Sequence, residues 1–204
     1  MEDLLSQGGL KVTPKKLNLL WSYHQLLRKR DDELDLTRLK NFEAMVVKHY
    51  VDCLYIRTLC SLPSPLLDIG TGPGLPGIPL KIFTPSLRII LAEKRQKRVQ
   101  FLEEVARELE LEVEIYPHSV NRTFPFPVEG VITRAVETMD KTLKRVQDFL
   151  NPGGKVIFMK GPSCEEEIRK TNEELGSIYQ LKEEIGYTLP NTAHQRKLVI
   201  FEKV

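Results

Sequence analysis

The sequence predicts an α/β fold: a mostly parallel sheet with helices packed on it, behind a helical N-terminal extension. Three observations predict it. The first sixty or so residues carry apolar side chains at helical spacing and show no strand signal. From Leu66 onward, short apolar runs alternate with helical patterns of about 10–15 residues, the order of βαβ units. The first apolar run ends in a glycine-rich loop that opens a helix.

Thr13-Pro14 reads as an N-cap with proline at the first helical position, and Leu17, Leu20, Tyr23, Leu26 and Leu27 follow at helical spacing. The charged stretch Lys29 to Asp35 is expected to break that helix. A second helical pattern runs from about Phe42 through Val46, His49, Tyr50, Cys53 and Leu54 to about Leu59. Pro63 and Pro65 then mark a change of pattern. Strands are expected at Leu66–Ile69, Leu87–Ala92, Val113–Tyr116, Gly130–Thr133 and Lys155–Met159. Their short apolar runs suit strands covered on both faces. Helical stretches lie at Gln96–Leu109 and Met139–Leu150, the latter stopped by Asn151-Pro152-Gly153-Gly154. A charged helix from about Glu165 to Leu175 precedes a last strand, Lys197–Phe201. No long helix separates the final strands, so an antiparallel hairpin is expected at the sheet edge. The expected division is a helical extension over residues 1–62 and an α/β domain over 63–204, built as one compact unit.

Composition narrows the class. The chain has 204 residues, of which 28% are charged and 41% hydrophobic, with a formal net charge of +2. These values suit an ordinary globular chain and neither demand nor exclude nucleic acid. No apolar run is long enough to span a bilayer, and the start Met1-Glu2-Asp3-Leu4 lacks signal-peptide character, so a cytoplasmic protein without membrane contact is expected. The three cysteines, Cys53, Cys60 and Cys164, form no C-x-x-C pair, and the four histidines show no ligand spacing, so neither a disulfide framework nor a metal site is expected.

The informative segment is Asp68-Ile69-Gly70-Thr71-Gly72-Pro73-Gly74-Leu75-Pro76-Gly77-Ile78-Pro79-Leu80. Its glycines let the backbone turn sharply and let a ligand approach closely. Asp68, two residues before Gly70, suits a cationic group and would sit badly beside a pyrophosphate. Pro73 and Pro76 remove amide donors that a phosphate would use, and no Lys-Ser/Thr ending follows, which excludes a P-loop. S-adenosylmethionine, with its ammonium and sulfonium, fits this pattern better than a dinucleotide. Glu93 ends the next strand, about twenty residues on, where a carboxylate can take ribose hydroxyls. The glycine loop upstream favours that role over the alternative of a surface partner for Lys94 or Arg98.

The loop resembles the cofactor loop of the glucose-inhibited division protein B family, bacterial small-subunit rRNA guanine-N7 methyltransferases. Other segments are similar to that family in the same order. They are Lys48-His49-Tyr50-Val51-Asp52-Cys53-Leu54, Lys97-Arg98-Val99-Gln100-Phe101-Leu102, Val131-Ile132-Thr133-Arg134-Ala135-Val136, Met159-Lys160-Gly161 and Gln195-Arg196-Lys197-Leu198-Val199. The resemblance covers the chain from about residue 12 onward. It implies a class I S-adenosylmethionine-dependent fold, Rossmann-like, with a seven-stranded mostly parallel sheet. Three departures stand out. Glu93 replaces the family's usual aspartate, Asp35-Leu36-Thr37 replaces Asn-Leu-Thr, and His118-Ser119-Val120-Asn121-Arg122-Thr123 stands where the family often reads Ser-Arg-x-Glu-Glu.

The resemblance implies methyl transfer from S-adenosylmethionine to guanine N7 of 16S rRNA, leaving S-adenosylhomocysteine. The cofactor residues are then Asp68, Gly70, Gly72, Pro73, Gly74, Leu75, Pro76, Glu93, Ser119, Val120 and Arg134. Arg134 and Lys160, each at a strand end, are expected to position the substrate, and no general base is needed because N7 carries a free lone pair. Lys94, Arg95, Lys97, Arg98, Lys160 and Arg196 are the candidate RNA contacts, although a basic run is also the ordinary composition of a solvated helix face. His49 and Asp52, three apart on one helix face, could pair. The expected partner is 16S rRNA or a small-subunit precursor, met by a monomer. Two alternatives remain open: methylation of another RNA site or a small molecule, and a non-methylating nucleotide-binding protein.

Overall fold

The computed structural model describes residues 1–134 and 136–204; Ala135, in the strand-ending Arg-Ala motif, lies outside the described residues. A short α1 (Glu2–Gln7) precedes α2 (Pro14–Leu34). The Thr13 side chain accepts from the Lys16 amide at 3.4 Å, and Pro14 opens α2 as expected. The charged stretch does not break this helix, which runs on to Leu34. Its charges pair along the helix surface, Arg28 with Asp31 at 3.3 Å and Arg30 with Glu33 at 2.8 Å, so they cost it little. The stop comes at Asp35, which takes the left-handed conformation at φ 47°. The buried Asp31 carboxylate also accepts from the Thr37 amide at 2.9 Å and from Lys40 at 2.8 Å, tying down the turn that follows.

The second helical pattern forms α3 (Phe42–Met45) and α4 (Asp52–Leu59), joined by a π-helical segment, Val46–Val51. The α/β part follows as β1 (Leu66–Ile69), α5 (Gly77–Phe83), β2 (Ile89–Ala92), α6 (Gln96–Glu108), β3 (Glu114–Tyr116), β4 (Gly130–Arg134), α7 (Met139–Val146), β5 (Lys155–Lys160), α8 (Glu165–Leu175), β6 (Tyr179–Thr188) and β7 (Gln195–Lys203). The sheet has seven strands in the order β3-β2-β1-β4-β5-β7-β6. β1 to β5 pair in parallel, while β7 runs antiparallel to both β5 and β6.

Strand periodicity divides the core. Leu66, Ile89, Leu91, Ile132, Ile157 and Leu198 share one apolar cluster with side chains of α1 to α6. Their neighbours Leu67, Ile90, Val131, Val156 and Val199 join the other, with Met139, Leu143 and Ile168 of α7 and α8. Among the described residues, no helix is long and apolar enough to cross a membrane.

Candidate active site

The strand order reverses between β1 and β4, and a cleft of about 420 Å³ opens at the carboxyl ends of the strands on the β1–β2 side. Open α/β sheets present ligands at such switch points. The cleft is lined by Gly70, Glu93, Lys94, Arg95, Arg98, Ser119 and Val120, all expected from sequence. His118, Val136, Glu137 and Arg145 line it too, and sequence reasoning did not select them as site residues.

The loop's shape follows from its glycines. Gly70, Gly72 and Gly74 hold φ values of 67°, 61° and 103°, a region that side chains with a Cβ rarely occupy. At Gly70 a Cβ would also lie 2.7 Å from Val136 Cγ2. The Gly70 and Thr71 amides donate to the Ala92 carbonyl at 2.9 and 3.1 Å, stapling the loop to the end of β2. Tyr23 of α2 donates its hydroxyl to the Pro73 carbonyl at 2.8 Å, so the helical extension braces the loop from behind. Leu75 and Pro76 are buried within it.

Asp68 is fully buried beneath the loop. Its Oδ2 accepts from the Thr71 hydroxyl at 2.6 Å and from the Gly77 amide, the first residue of α5, at 2.9 Å. Its Oδ1 has no hydrogen-bond partner among the described residues. Burial pushes the Asp68 carboxyl up to about 7, against the opposing pull of the Thr71 and Gly77 bonds. A buried carboxylate oxygen without a partner is costly, and a cation brought to it would relieve that cost. Glu93 is 6% exposed. Its Oε1 accepts from the Arg95 amide at 2.8 Å, and Oε2 lies 3.9 Å from Arg98. Arg98 in turn donates to the Asp35 carbonyl at 3.0 Å.

The cleft lining does not include Asp68, Gly72, Pro73, Gly74, Leu75 and Pro76 of the loop, which lie beneath or behind it, nor Arg134, Lys160, Lys97 and Arg196. Arg134 lies against α4 and the π-helical segment, where it donates to the Lys48 carbonyl at 2.6 Å and pairs with Asp52 at 3.4 Å. Arg196 also reaches Asp52, at 3.3 Å, and Tyr187 donates to the same carboxylate at 3.2 Å. The expected His49–Asp52 pair does not form: the His49 Nε2 meets the Thr37 hydroxyl at 2.8 Å instead. Burial pushes the His49 imidazole down to about 4, with the Arg134 charge adding to the effect. Lys160 donates to Glu167 at 2.7 Å and to the Glu137 carbonyl at 3.1 Å. Lys97 is exposed on α6. Cys53 is fully buried, its thiol pushed up to about 12 by burial, which leaves it no nucleophile. Among the described residues, no group of acids, histidines and cysteines is arranged to hold a metal ion.

Residues 16–199 match the family model GidB, rRNA small subunit methyltransferase G. The chain is 48% identical to a ribosomal RNA small subunit methyltransferase G 2 of Syntrophobacter fumaroxidans over its whole length, spanning 41% of that protein. It is 42% identical to the protein of the same name from Bdellovibrio bacteriovorus, covering all of this chain and 81% of the relative. A ribosomal RNA small subunit methyltransferase G of Carboxydothermus hydrogenoformans is 32% identical, covering all of this chain and 90% of the relative. Among solved structures, a methyltransferase from Pyrococcus furiosus superposes with a TM-score of 0.61 at 17% identity, over 91% of this chain and 98% of that one. An S-adenosylmethionine-dependent O-methyltransferase from Thermotoga maritima gives 0.57 at 15% identity, over 87% and 71%. The fold is that of class I S-adenosylmethionine-dependent methyltransferases.

Proposed function

The chain belongs to the GidB family, rRNA small subunit methyltransferase G, and from that premise we propose that it methylates N7 of a guanine in 16S rRNA. The methyl donor is S-adenosylmethionine and the second product S-adenosylhomocysteine. The observation that carries the cofactor assignment is the buried, half-satisfied Asp68 beneath a glycine loop, with Glu93 in the adjoining cleft. That donor set suits a ligand with a cation at one end and vicinal hydroxyls in the middle. A phosphate would meet carboxylates at both places.

In this reading Asp68 orders the loop and balances the cationic end of the cofactor. Glu93 takes the ribose hydroxyls, while Ser119 and Val120 border the adenine. S-adenosylmethionine supplies an electrophilic methyl group on its sulfonium. Guanine N7 already has a free lone pair, so no residue has to remove a proton, and the site's task is alignment and exclusion of water. Arg134 and Lys160 act as positioning groups at the ends of β4 and β5, through Asp52 and the Glu137 loop respectively. Lys94, Arg95 and Lys97, exposed at the same sheet edge, face the RNA phosphates. The substrate is 16S rRNA or a small-subunit precursor, and the acting form is a monomer.

The test is primer-extension mapping of N7-methylguanine, after borohydride–aniline cleavage, in 16S rRNA from wild-type and gene-deleted cells. The expected result is loss of a single cleavage stop in the deletion. An unchanged pattern overturns the 16S N7 assignment and moves the acceptor to another molecule.

A further inference from the structure

Among the lining side chains that still carry no role are Arg145 and Glu137. The Arg145 guanidinium donates from Nε to Glu137 Oε1 at 2.9 Å and from Nη2 to Glu137 Oε2 at 2.7 Å, a two-pronged pair. From Nη1 it donates to the Val120 carbonyl at 2.9 Å. Thr142 adds a hydroxyl bond to Glu137 Oε1 at 3.2 Å. The main chain of Glu137 is held as well, by Lys160 on its carbonyl at 3.1 Å. Lys160 is anchored on Glu167, which also takes the Met139 amide at 2.6 Å. One connected set of bonds therefore runs from β5 and α8, through the loop between β4 and α7, to Val120.

Val120 is buried, and Arg145 is the side chain that holds its carbonyl. The segment between β3 and β4 holds no regular element; Val120, Phe124 and Val128 pack into the core, and among the described residues its hydrogen bonds, apart from those of Glu129 at its end, are the local ones that Asn121 makes with Thr123 and Phe124 and the Arg145 bond to Val120. The segment reads His118-Ser119-Val120-Asn121-Arg122-Thr123, and Arg122 turns away to Asp148 at 3.5 Å. The arginine and acid that meet the segment come instead from α7 and the β4–α7 loop.

We propose that Arg145, oriented by Glu137, is a positioning residue for the cofactor that holds Ser119 and Val120 at the adenine end of the cleft. The proposal rests on the reading of this cleft as the S-adenosylmethionine site. A guanidinium suits the task because its rigid fork can grip a carboxylate with two donors and still reach a carbonyl with a third. Without it, the Val120 carbonyl loses its side-chain donor, the position of Ser119 and Val120 has to be fixed at the moment of binding, and affinity falls by that cost.

The full chain is titrated calorimetrically with S-adenosylmethionine and with 5′-methylthioadenosine, which has the adenine and ribose but no amino-acid part. Arg145→Met is expected to weaken both ligands by about tenfold while melting stays within a few degrees of wild type. Glu137→Gln is expected to weaken both by a smaller factor, and the double variant to be no worse than Arg145→Met within about twofold, since the two act as one unit. Arg145→Lys keeps the charge but loses the fork, and recovers part of the loss; it carries the comparison if Arg145→Met does not fold. Wild-type affinity in Arg145→Met, or in Arg145→Lys where Arg145→Met does not fold, overturns the proposal. So does a loss confined to S-adenosylmethionine with methylthioadenosine unaffected. Failure of the wild-type chain to bind S-adenosylmethionine is a different result: it overturns the assignment of the cleft and the proposal with it.

Discussion

Asp68 shows at the scale of one residue how stability is given up for a site. The carboxyl has no exposed surface and, among the described residues, two donors on one oxygen and none on the other. Burial raises it from an ordinary value of 3.8 to about 7. A group raised in the folded state contributes stability that is fully present below its unfolded value and lost as pH rises through its folded value. The window is therefore pH 3.8 to about 7, and above it the folded chain holds a buried charge. Asp68→Asn keeps an acceptor for the Gly77 amide and removes that charge. It should melt higher than wild type at pH 8, by roughly 4–8 °C, with the gap closing toward pH 4. The same variant should bind S-adenosylmethionine at least about tenfold more weakly. Wild-type affinity should rise between pH 5 and 7, because a bound cation favours the ionised form. A variant that melts no higher and binds as well as wild type removes Asp68 from the site. Gly70→Ala tests the loop itself: φ 67° and the approach to Val136 both oppose a methyl group, so calorimetry should show cofactor affinity falling with the fold retained by circular dichroism. These features were legible from sequence because they are local, an acid and three glycines within seven residues. Arg145 and Glu137 were not, since an arginine on an amphipathic helix looks like any solvated one until Val120, 25 residues away, folds against it.

Elements are joined here by one carboxylate. Asp52 opens α4 and meets Arg134 from the end of β4, Arg196 from β7 and Tyr187 from β6. It is 1% exposed, so its removal leaves two arginines facing a site with no counter-charge. Breaking a buried pair from one side costs about 3–5 kcal/mol. Asp52→Ala should lose about that much unfolding free energy in urea, with little change in slope. A loss under about 1 kcal/mol would reduce the cluster to a surface ion pair. The helix pattern suggested a local partner for Asp52 in His49, and the structure supplies partners up to 144 residues away. The edge hairpin of β6 and β7 was expected, but the range of β6 escaped sequence reading for a related reason. This strand is an edge strand with exposed Glu183 and Glu184, Gly186 near its end and a register shift between Leu181 and Glu183, so it has no clean alternation to read. Such charges suit an unpaired edge, where they discourage association with another strand. The inner strands, apolar on both faces, were read closely because burial leaves their composition little choice.

At the scale of the whole molecule, charge placement matters more than charge total. A net charge of +2 describes no surface, but the sheet has two edges with different contents. At the carboxyl edge, Lys94 and Arg95 line the cleft and Lys97 stands exposed beside them on α6. The amino edge carries Arg88, paired loosely with Glu114 at 3.8 Å. If RNA is bound across the carboxyl edge, each phosphate contact releases counterions, and affinity falls with salt in proportion to the number of contacts. Lys94→Ala and Lys97→Ala should each lower the slope of log affinity against log salt by about 0.7–0.9 when a 16S rRNA fragment is titrated, and the double variant should lower it by the sum. Arg88→Ala should leave the slope unchanged and serves as the control. Cofactor affinity of the Lys97 variant should stay at the wild-type value, since that side chain lies outside the cleft lining. An unaltered slope in the double variant would place the RNA on another face, and Arg196, with its head 24% exposed beside β6, would be the next cation to remove.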